Sequence, residues 1–375
     1  MSSTPPKPLW IEVVTDTYVP DVNGVAFSLG RLCTGLRERG HRVEIIRSGK
    51  SHGPCETTVL SWPLPGYWEV KVGAPWPGEL RRRWAKHRPD VIYVAIETPL
   101  GFSAAAAALR LGIPVVGGFH TNFCEYLQKY GAGWVGQQVW RYQKWFHQRL
   151  ARTLVPSPDA REKLVQAGFT KVGVLGRGVD TAMFHPAHRS EAVRRSFGVE
   201  GESPIALVVG RVASEKNIGL AIRAFSRMRE RCPGMVGVVI GDGPARAKLQ
   251  RGHPQVRFPG YLLGRELAAC YASADILLFP SETETFGNVL LEGMASGLAV
   301  LGYDYAAAGW HGRDGGNLLK VAKGDEAAFL AAADRLLDPA LREPLARGAL
   351  LTATGLAWPG IVAELEEVFR EVIAS

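Results

Sequence analysis

Short apolar segments alternate with amphipathic segments along almost the whole chain, and this alternation limits the possible folds more than any other feature. Before residue 181 the apolar segments are LWIEVV, RVEIIR, DVIYVAIE, PVVGGF, RTLVPS and KVGVLG. After it they are PIALVVGR, MVGVVIGDG, VRFPG, ADILLFPS, AVLGYD and NLLKVA. Helical patterns lie between them, such as GVAFSLGRLCTGLRERG, in which Gly40 marks the C-terminal end. The pattern predicts parallel sheets covered by helices on both faces.

The alternation occurs twice, which predicts two doubly wound α/β domains in a chain of 375 residues. The polar segment TAMFHPAHRSEAVRRSFGVEGESP, residues 181–204, is interpreted as the linker between them. Ligands of such sheets bind beyond the carboxyl ends of the strands, so the loops that follow the strands are the places to search for a site.

Composition excludes several classes of protein. The five cysteines are scattered and never form C-x-x-C, which favours reduced thiols in the cytoplasm over a disulfide framework or a zinc site. The segment MSSTPPKPLW lacks the apolar core of a secretory signal, and no stretch approaches 18 uncharged apolar residues. We therefore expect a cytoplasmic protein that does not span a membrane.

Two loops after predicted strands carry residues suited to a sugar nucleotide. The first strand leads to Asn23 and Gly24, without the G-x-G-x-x-G of dinucleotide oxidoreductases. One glycine lets a phosphate or sugar approach the backbone, although Asn-Gly also occurs in turns without a ligand. In the second half, Arg211 and Lys216 lie in GRVASEKNIG, where two cations suit a diphosphate; a solvated loop is the equal alternative.

The segment FPSETETFGNVLLEGMASG, residues 279–297, favours the ligand-binding interpretation. It contains a strand end, a loop and a helix that starts near Asn288. The helix N-terminus offers unpaired N–H groups to a phosphate, and Gly287 allows close approach to the backbone. Glu292, one turn after Asn288, can accept hydrogen bonds from ribose hydroxyls, and Glu284 can accept hydrogen bonds from the hydroxyls of a second sugar. A capping carboxylate is the alternative for Glu284.

These motifs together resemble the family-four retaining glycosyltransferases of GT-B architecture. The resemblance rests on GRVASEKN, GDGP, RFPGYL, ADILLFPSETETFGNVLLEGMASG and LGRGVDTAMFHP, and the glutamate pair reproduces the E-x7-E signature. TDTYVPDVNGV and GFHTNFCEYLQKYG resemble the branch of bacterial GDP-mannose-dependent α-mannosyltransferases and glycolipid synthases. The resemblance implies two Rossmann-like domains facing each other across a cleft. They would comprise residues 1–181 with the final helix 357–375 on the acceptor side, and 182–356 on the donor side.

The resemblance also implies roles for individual residues. Arg211 and Lys216 would hold the diphosphate, and Tyr261 would lie near the base. The implied catalytic residues are His120, Arg211, Lys216 and Glu284. The implied donor-binding residues are Asn23, Gly24, Arg211, Lys216, Tyr261, Leu262, Glu284, Phe286, Gly287, Asn288, Val289 and Glu292. The implied acceptor-side residues are Asp16, Asn122, Tyr126 and Tyr130.

The implied reaction needs neither a metal ion nor another cofactor. The sequence lacks D-x-D, the pair with which metal-dependent glycosyltransferases hold a cation on the diphosphate. In retaining enzymes of this class the leaving diphosphate is thought to accept the proton of the acceptor, while cations and helix amides stabilise its charge. His120 is therefore not expected to act as a base, and a packed residue at a strand end is its alternative interpretation.

The expected function is transfer of a hexose from a nucleotide sugar to a lipid or glycan acceptor, with mannose from GDP-mannose favoured. The alternatives are a glycolipid synthase that uses UDP-glucose or UDP-galactose, and a catalytically silent sugar-nucleotide-binding subunit. The intact set of cations and glutamates argues against the silent subunit.

Charge and aromatic residues suggest a further partner. Lys and Arg exceed Asp and Glu by 23 to 14 in residues 1–180, but not in the rest of the chain. In the predicted helix 133–152, Trp134, Trp140 and Trp145 alternate with basic residues, and RRRWAKHR adds cations at 81–88. The pattern predicts salt-sensitive binding to the inner face of an anionic membrane, with a second packing face and a solvated surface as alternatives. No nucleic-acid-recognition motif accompanies the charge.

Overall fold

The computed structural model describes residues 7–21, 23–64, 67–120, 133–199, 201–284 and 286–375. The chain forms two compact units. The first comprises residues 1–177 and 358–375, and the second comprises residues 178–357. No helix in the described part of the chain is both long and apolar enough to cross a membrane.

The first unit is built on a parallel sheet of seven strands. Its strands are β1 (Trp10–Thr15), β2 (Arg42–Ser48), β3 (Glu56–Val59), β6 (Val91–Val94), β7 (Val115–Gly118), β8 (Arg152–Val155) and β9 (Val172–Val174), in the order β3-β2-β1-β6-β7-β8-β9. Strands β4 (Ser61–Leu64) and β5 (Tyr67–Gly73) form a separate antiparallel pair. Its helices before residue 178 are α1 (Gly24–Glu38), α2 (Pro77–Lys86), α3 (Pro99–Arg110), α4 (Gly133–His147) and α5 (Pro158–Gln166).

The second unit repeats the plan with six parallel strands. They are β10 (Ile205–Val209), β11 (Val236–Ile240), β12 (Arg257–Gly260), β13 (Ile276–Phe279), β14 (Ala299–Tyr303) and β15 (Leu319–Val321), in the order β12-β11-β10-β13-β14-β15. The helices are α6 (Glu191–Ser196), α7 (Ile218–Arg231), α8 (Arg246–Gly252), α9 (Gly264–Ser273), α10 (Asn288–Ala295), α11 (Ala306–His311), α12 (Glu326–Arg335) and α13 (Pro339–Thr354). Single 3₁₀ turns occur at Pro186–His188 and Ser214–Lys216.

Both sheets have the strand order of a doubly wound fold, with a topological switch point beside the first strand. In the first unit the order reverses between β1 and β6, and in the second between β10 and β13. The carboxyl ends of the strands on either side of a switch point border the crevice in which such folds bind ligands. The loops after β1, β10 and β13, together with the helix starts that follow them, carry most of the predicted donor-site residues, and Tyr261 and Leu262 follow β12.

The helix α14 (Trp358–Ala374) returns the chain to the first unit and packs on α1. Gly35 permits this close approach, because a Cβ there would lie 2.6 Å from Cγ2 of Val362. Glu366 on α14 pairs with Arg39 at 2.6 Å and with Arg370 at 2.7 Å. Burial raises the pKa of Glu366, but hydrogen bonds from Arg39, Arg370 and His41 outweigh it and lower the pKa to about 2. The helix is therefore held by an apolar face and by one buried carboxylate.

The expected linker 181–204 is packed structure, which corrects that interpretation. Arg194 on α6 is buried and donates to the Ser273 carbonyl at 2.9 Å and to Asp275 at 3.1 Å. The first boundary falls after residue 177 because Val179 already belongs to the core of the second unit and its N–H donates to the Leu356 carbonyl at 3.0 Å.

Candidate active site

Two loops of the second unit bring the predicted diphosphate and sugar residues together. Arg211 follows β10, and Lys216 ends the 3₁₀ turn of the same loop. The side chain of Lys216 donates to Oε1 of Glu284, which lies in the loop after β13. A second link joins the same loops, because the Asn217 amide donates to Glu282 at 3.3 Å. The strands on both sides of the switch point thus place a cation and a carboxylate in direct contact.

The ion pair of Lys216 with Glu284 is partly open to solvent. The side chains are 24% and 12% exposed, respectively. Arg211 is exposed, and its side chain has no hydrogen-bonding or ionic partner in the described part of the chain. Arg211 can therefore contact an anion without losing a partner among the described residues, whereas Lys216 already has Glu284 as a partner.

The start of helix α10 lies directly after this loop. Gly287 has φ of +98°, a left-handed conformation that favours glycine, and a Cβ there would lie 3.0 Å from Cζ of Phe279. The first N–H groups of the helix, those of Asn288 and Val289, have no partner within the helix by its geometry. Phe286 is buried, with its ring edge-on to Trp310 at 6.3 Å, and its carbonyl accepts from the Ala307 N–H at 2.9 Å, so its side chain is not available to a ligand.

Glu292 lies on the same helix and is held by a tyrosine. The Tyr271 hydroxyl on α9 donates to Oε2 of Glu292 at 2.9 Å, and the Tyr271 ring packs edge-on against Phe184 at 5.5 Å. Oε1 of Glu292 has no partner among the described residues. Burial raises the pKa of Glu292 to about 7, although the Tyr271 hydrogen bond lowers it. One carboxylate oxygen is thus positioned by the protein, and the other is left for a ligand.

Tyr261 and Leu262 follow β12, at the same edge of the sheet as the two loops. Tyr261 is 50% exposed, and Leu262 is half-buried against the core. The order β12-β11-β10 places them two strands from Arg211, about 10 Å along the edge. That separation suits a base at one end of a nucleotide whose phosphates lie at the other.

In the first unit, His120 follows β7 and is buried with both ring nitrogens engaged. Arg177 donates to Nδ1 at 2.8 Å, and Nε2 lies 3.1 Å from the Tyr93 hydroxyl. A guanidinium only donates, so Nδ1 is the acceptor and the proton of the ring is on Nε2. Burial and the charge of Arg177 hold the pKa of His120 well below its usual range. Because both ring nitrogens are engaged and the pKa is low, this imidazole is a poor proton acceptor.

The remaining predicted residues of the first unit lie around the carboxyl end of β1. Asn23 accepts from the N–H of Ala26 at 2.9 Å and so caps α1. A Cβ at Gly24 would meet open space. Asp16 is buried, accepts from the Gly73 N–H at 2.6 Å, and has its other oxygen bound by the Thr98 hydroxyl. Asp16 therefore contributes to packing in this structure; Asn122, Tyr126 and Tyr130 lie outside the described residues.

Comparison with known proteins identifies the family. Residues 22–183 match the model of Glycosyltransferase Family 4, and residues 203–339 match Glycosyl transferases group 1. A GDP-mannose-dependent alpha-mannosyltransferase of Mycolicibacterium smegmatis is 35% identical over 384 residues, with 97% of each chain covered. The chain belongs to glycosyltransferase family 4. The sequence-based prediction of this family, and of an enzyme that transfers a glycosyl group, is confirmed.

This glycosyltransferase is also similar to a glycolipid synthase in sequence and to a solved structure in fold. An alpha-monoglucosyldiacylglycerol synthase of Acholeplasma laidlawii is 23% identical over 319 residues, covering 78% of this chain and 79% of the relative. The structure of sucrose-phosphate synthase from Thermosynechococcus elongatus superposes with a TM-score of 0.77 at 18% identity, covering 97% of this chain and 99% of that one. The predicted GT-B fold is confirmed by this likeness.

Sequence reasoning missed three residues that contact predicted site residues: Tyr93 and Arg177, which contact His120 in the first unit, and Tyr271, which contacts Glu292 in the second. Arg177 stands inside the motif LGRGVD, and Tyr271 lies five residues before Ile276, the first residue of the strand β13 that leads to Glu284. For Arg177, the signal available in the sequence was therefore its position in the motif LGRGVD. The partners lie 57 and 21 residues away and could not be assigned from spacing.

Proposed function

We propose that this glycosyltransferase transfers mannose from GDP-mannose, with retention of the anomeric configuration, to a lipid or lipid-linked glycan acceptor at the inner face of a membrane. The observation that carries the proposal is the arrangement at the switch point of the second unit. Exposed Arg211, the Lys216–Glu284 pair and the N-terminus of α10 lie in the two loops that follow β10 and β13. This set supplies cations and amides for a diphosphate, and a carboxylate for a sugar.

The geometry of the pair suggests how the donor is received. Before binding, Lys216 and Glu284 neutralise each other. The diphosphate attracts Lys216, and Glu284 is then free to accept hydrogen bonds from the sugar hydroxyls. Glu292 accepts from a ribose hydroxyl through the oxygen that Tyr271 does not bind. A nucleotide-sugar donor thus supplies a new partner for each member of the pair: the diphosphate for Lys216 and the sugar hydroxyls for Glu284.

The chemical step needs stabilisation of the leaving group more than a base. The bond between the sugar C1 and the diphosphate oxygen breaks, the acceptor oxygen bonds to C1 on the same face, and its proton passes to the leaving diphosphate. Negative charge grows on that diphosphate in the transition state, where Arg211, Lys216 and the α10 amides stabilise it. The residues of this chain fit a reaction without a metal ion, and we expect turnover to persist in EDTA.

The name of the Mycolicibacterium relative favours GDP-mannose as the donor. The name of the Acholeplasma relative favours a lipid acceptor and leaves UDP-glucose as the second candidate donor. The reduced state expected of the scattered cysteines is consistent with the cytoplasmic side of the membrane.

A donor panel tests the proposal. The enzyme is incubated with GDP-mannose, UDP-glucose or UDP-galactose and a lipid extract, and released nucleotide and glycolipid are measured, with Glu284→Gln as the control. We expect GDP release and an α-linked mannolipid from GDP-mannose alone. Turnover with UDP-glucose alone would establish the second candidate. An inverted product, or no turnover with any donor, would reject a retaining transferase.

A further inference from the structure

An apolar groove lies on the surface of the first unit, between α3 and α4, and none of its lining residues is assigned to the donor. Its volume is about 210 Å³. Phe102 of α3 stacks on Trp145 of α4, with ring centroids 5.7 Å apart, and so joins the two helices. The lining residues are Phe102, Ala105, Ala106, Leu109, Arg110, Trp145, Phe146, Arg149 and Leu150.

The walls of this α3–α4 groove expose large apolar side chains. Phe102, Leu109 and Trp145 are 38%, 40% and 41% exposed, respectively, while Phe146 and Leu150 beneath them are buried. Clustered exposure of this kind marks interaction surfaces, whereas single exposed apolar residues are ordinary. The groove therefore offers an apolar surface that the described residues leave uncovered.

The structure corrects which tryptophans belong to this surface. Trp140 packs against Phe169 at 5.2 Å and Phe119 at 6.4 Å, so it contributes to a small core cluster. Lys144 also turns inward and donates to the Ala167 carbonyl at 2.8 Å. The side chain of Trp134 is outside the described residues. Of the two tryptophans of the predicted set whose side chains are described, Trp145 is thus the one that is exposed.

The rim of the groove is cationic. Arg149, which follows the end of α4, lies over the Trp145 ring at 3.8 Å, and Arg141 is on the Trp145 face of the helix one turn before Trp145. Arg110 is exposed and has no polar partner in the part of the chain that the structure describes. The sequence has no Asp or Glu in 98–124 or in 126–158, the ranges that contain α3 and α4. Nothing contributed by these helices neutralises the rim.

Glu97, the acidic residue that precedes α3, has a buried side chain and does not stand at the exposed rim. Its side chain is only 7% exposed and is bound by the Gln143 amide. At the other end of α3, Arg88 donates to the Gly112 carbonyl at 2.8 Å and adds a further cation close to Leu109 and Arg110. An apolar groove with a positive rim complements a surface that is apolar within and anionic at its edge.

We propose that the α3–α4 groove docks the enzyme on a bilayer containing anionic lipids, with Phe102, Leu109 and Trp145 entering the boundary between headgroups and acyl chains. Arg110 and Arg149 then pair with lipid phosphates. Arginine and tryptophan at one interface are typical of proteins that lie on a membrane. The Trp145 ring is covered by Phe102 on one side and by Arg149, which favours lipid over stacking on a nucleic-acid base. The inference deepens the proposed function by naming the surface that brings the enzyme to a membrane-bound acceptor.

Vesicle flotation of the full chain tests the charge contribution. Phosphatidylcholine vesicles with and without phosphatidylglycerol are compared at low and high salt. Arg110→Glu with Arg149→Glu is compared with Arg229→Glu with Lys248→Glu, an equal charge change at exposed positions of the second unit. Each basic residue near an anionic leaflet contributes roughly 1 kcal/mol, so the groove pair should weaken binding to phosphatidylglycerol vesicles at least about thirtyfold.

The control pair should bind like wild type, and high salt should release both proteins. Equal losses in the two pairs would mean that net charge alone attracts the protein, and would overturn docking through the groove. Wild type that stays with the soluble fraction at low salt would overturn lipid binding altogether, as would binding to RNA in place of vesicles.

Insertion has its own readout. Vesicles with brominated acyl chains should quench wild-type fluorescence, and Trp145→Phe should lose most of that quenching while keeping its circular dichroism spectrum. Equal quenching in both proteins would overturn insertion at the groove. GDP release from GDP-mannose is measured in parallel on the same variants. If the groove variants lose flotation but keep turnover, docking is confirmed as separate from catalysis. If the wild type floats with vesicles but shows no turnover, only the proposed function is rejected.

Discussion

Replacing Tyr271 with phenylalanine should weaken the binding of a ribonucleoside diphosphate and move its pH dependence upward. The Tyr271 hydroxyl donates to Oε2 of Glu292 at 2.9 Å, and the pKa of Glu292 is about 7 because the carboxyl group is buried. The hydroxyl stabilises the charged form, so its removal must raise that pKa further. Phenylalanine keeps the ring against Phe184, so the fold should be unchanged.

The size of the effect follows from these values. At pH 7 a group of pKa about 7 is half ionised. The loss of a hydrogen bond to a charged group costs about 1.5–3 kcal/mol, and a pKa increase of one unit corresponds to about 1.4 kcal/mol. A one-unit increase would reduce the ionised fraction at pH 7 from about a half to about a tenth. We therefore expect about fivefold weaker binding at pH 7 from ionisation alone, since a ribose hydroxyl donates best to a carboxylate.

Calorimetry with GDP between pH 6 and pH 9 measures the effect, and 2′,3′-dideoxy-GDP is the matched control. Its diphosphate titrates like that of GDP, but it lacks the ribose hydroxyls from which Glu292 would accept hydrogen bonds. Wild-type affinity for GDP, relative to the control, should rise with pH through about 7 and then level off. In Tyr271→Phe the rise should occur at higher pH. The reasoning is refuted if the two midpoints coincide, or if the control loses as much affinity as GDP.

Three further predictions concern other contacts. Lys216→Ala should lower kcat more than it raises KM in steady-state assays, because charge on the diphosphate grows in the transition state; a change in KM alone would limit Lys216 to ground-state binding. Arg177→Met should raise the pKa of His120 and release Nδ1, as ¹⁵N NMR of the ring would show; an unchanged spectrum would contradict the tautomer assigned here. Glu366→Gln should reduce the free energy of urea unfolding at neutral pH by roughly 2–3 kcal/mol. Since the Glu366 pKa is lowered to about 2, the wild-type advantage should be complete above the ordinary value of 4.5 and vanish as the pH falls through about 2. A deficit that persists at pH 2 would contradict this linkage.

The order of the main strands and helices could be predicted because a central strand of a parallel sheet is buried on both faces and appears as an apolar run. The edge strand β3, which is only partly buried, was not predicted. The hairpin β4–β5 escaped for the same reason. It pairs outside the parallel sheets, and Trp62 of β4 is 45% exposed. Pro63 in the same strand cannot donate to a sheet and weakens the pattern further. A strand buried on neither or only one face leaves no apolar run to detect.

The linker prediction failed because polar sequence was equated with exposure. Arg194 is almost completely buried, yet its guanidinium meets the carbonyls of Ser203 and Ser273 at 2.7 and 2.9 Å and the carboxylate of Asp275. A buried arginine is stable only when acceptors from distant parts of the chain converge on it. Nothing in residues 181–204 by themselves indicates that convergence.

The candidate site shows the same division between local chemistry and distant partners. Local spacing was enough to predict that Glu284 and Glu292 lie on opposite sides of the α10 start, since the helix and its glycine are adjacent in sequence. It could not predict that Lys216 would hold Glu284, or that Tyr271 would occupy one oxygen of Glu292. These contacts determine which atoms remain for a ligand: one oxygen of Glu292, the α10 amides and the exposed guanidinium of Arg211. The part of the site that we propose to recognise a donor is thus defined by the groups that the folded protein leaves unpaired, and those groups are determined only once the distant strands have come together.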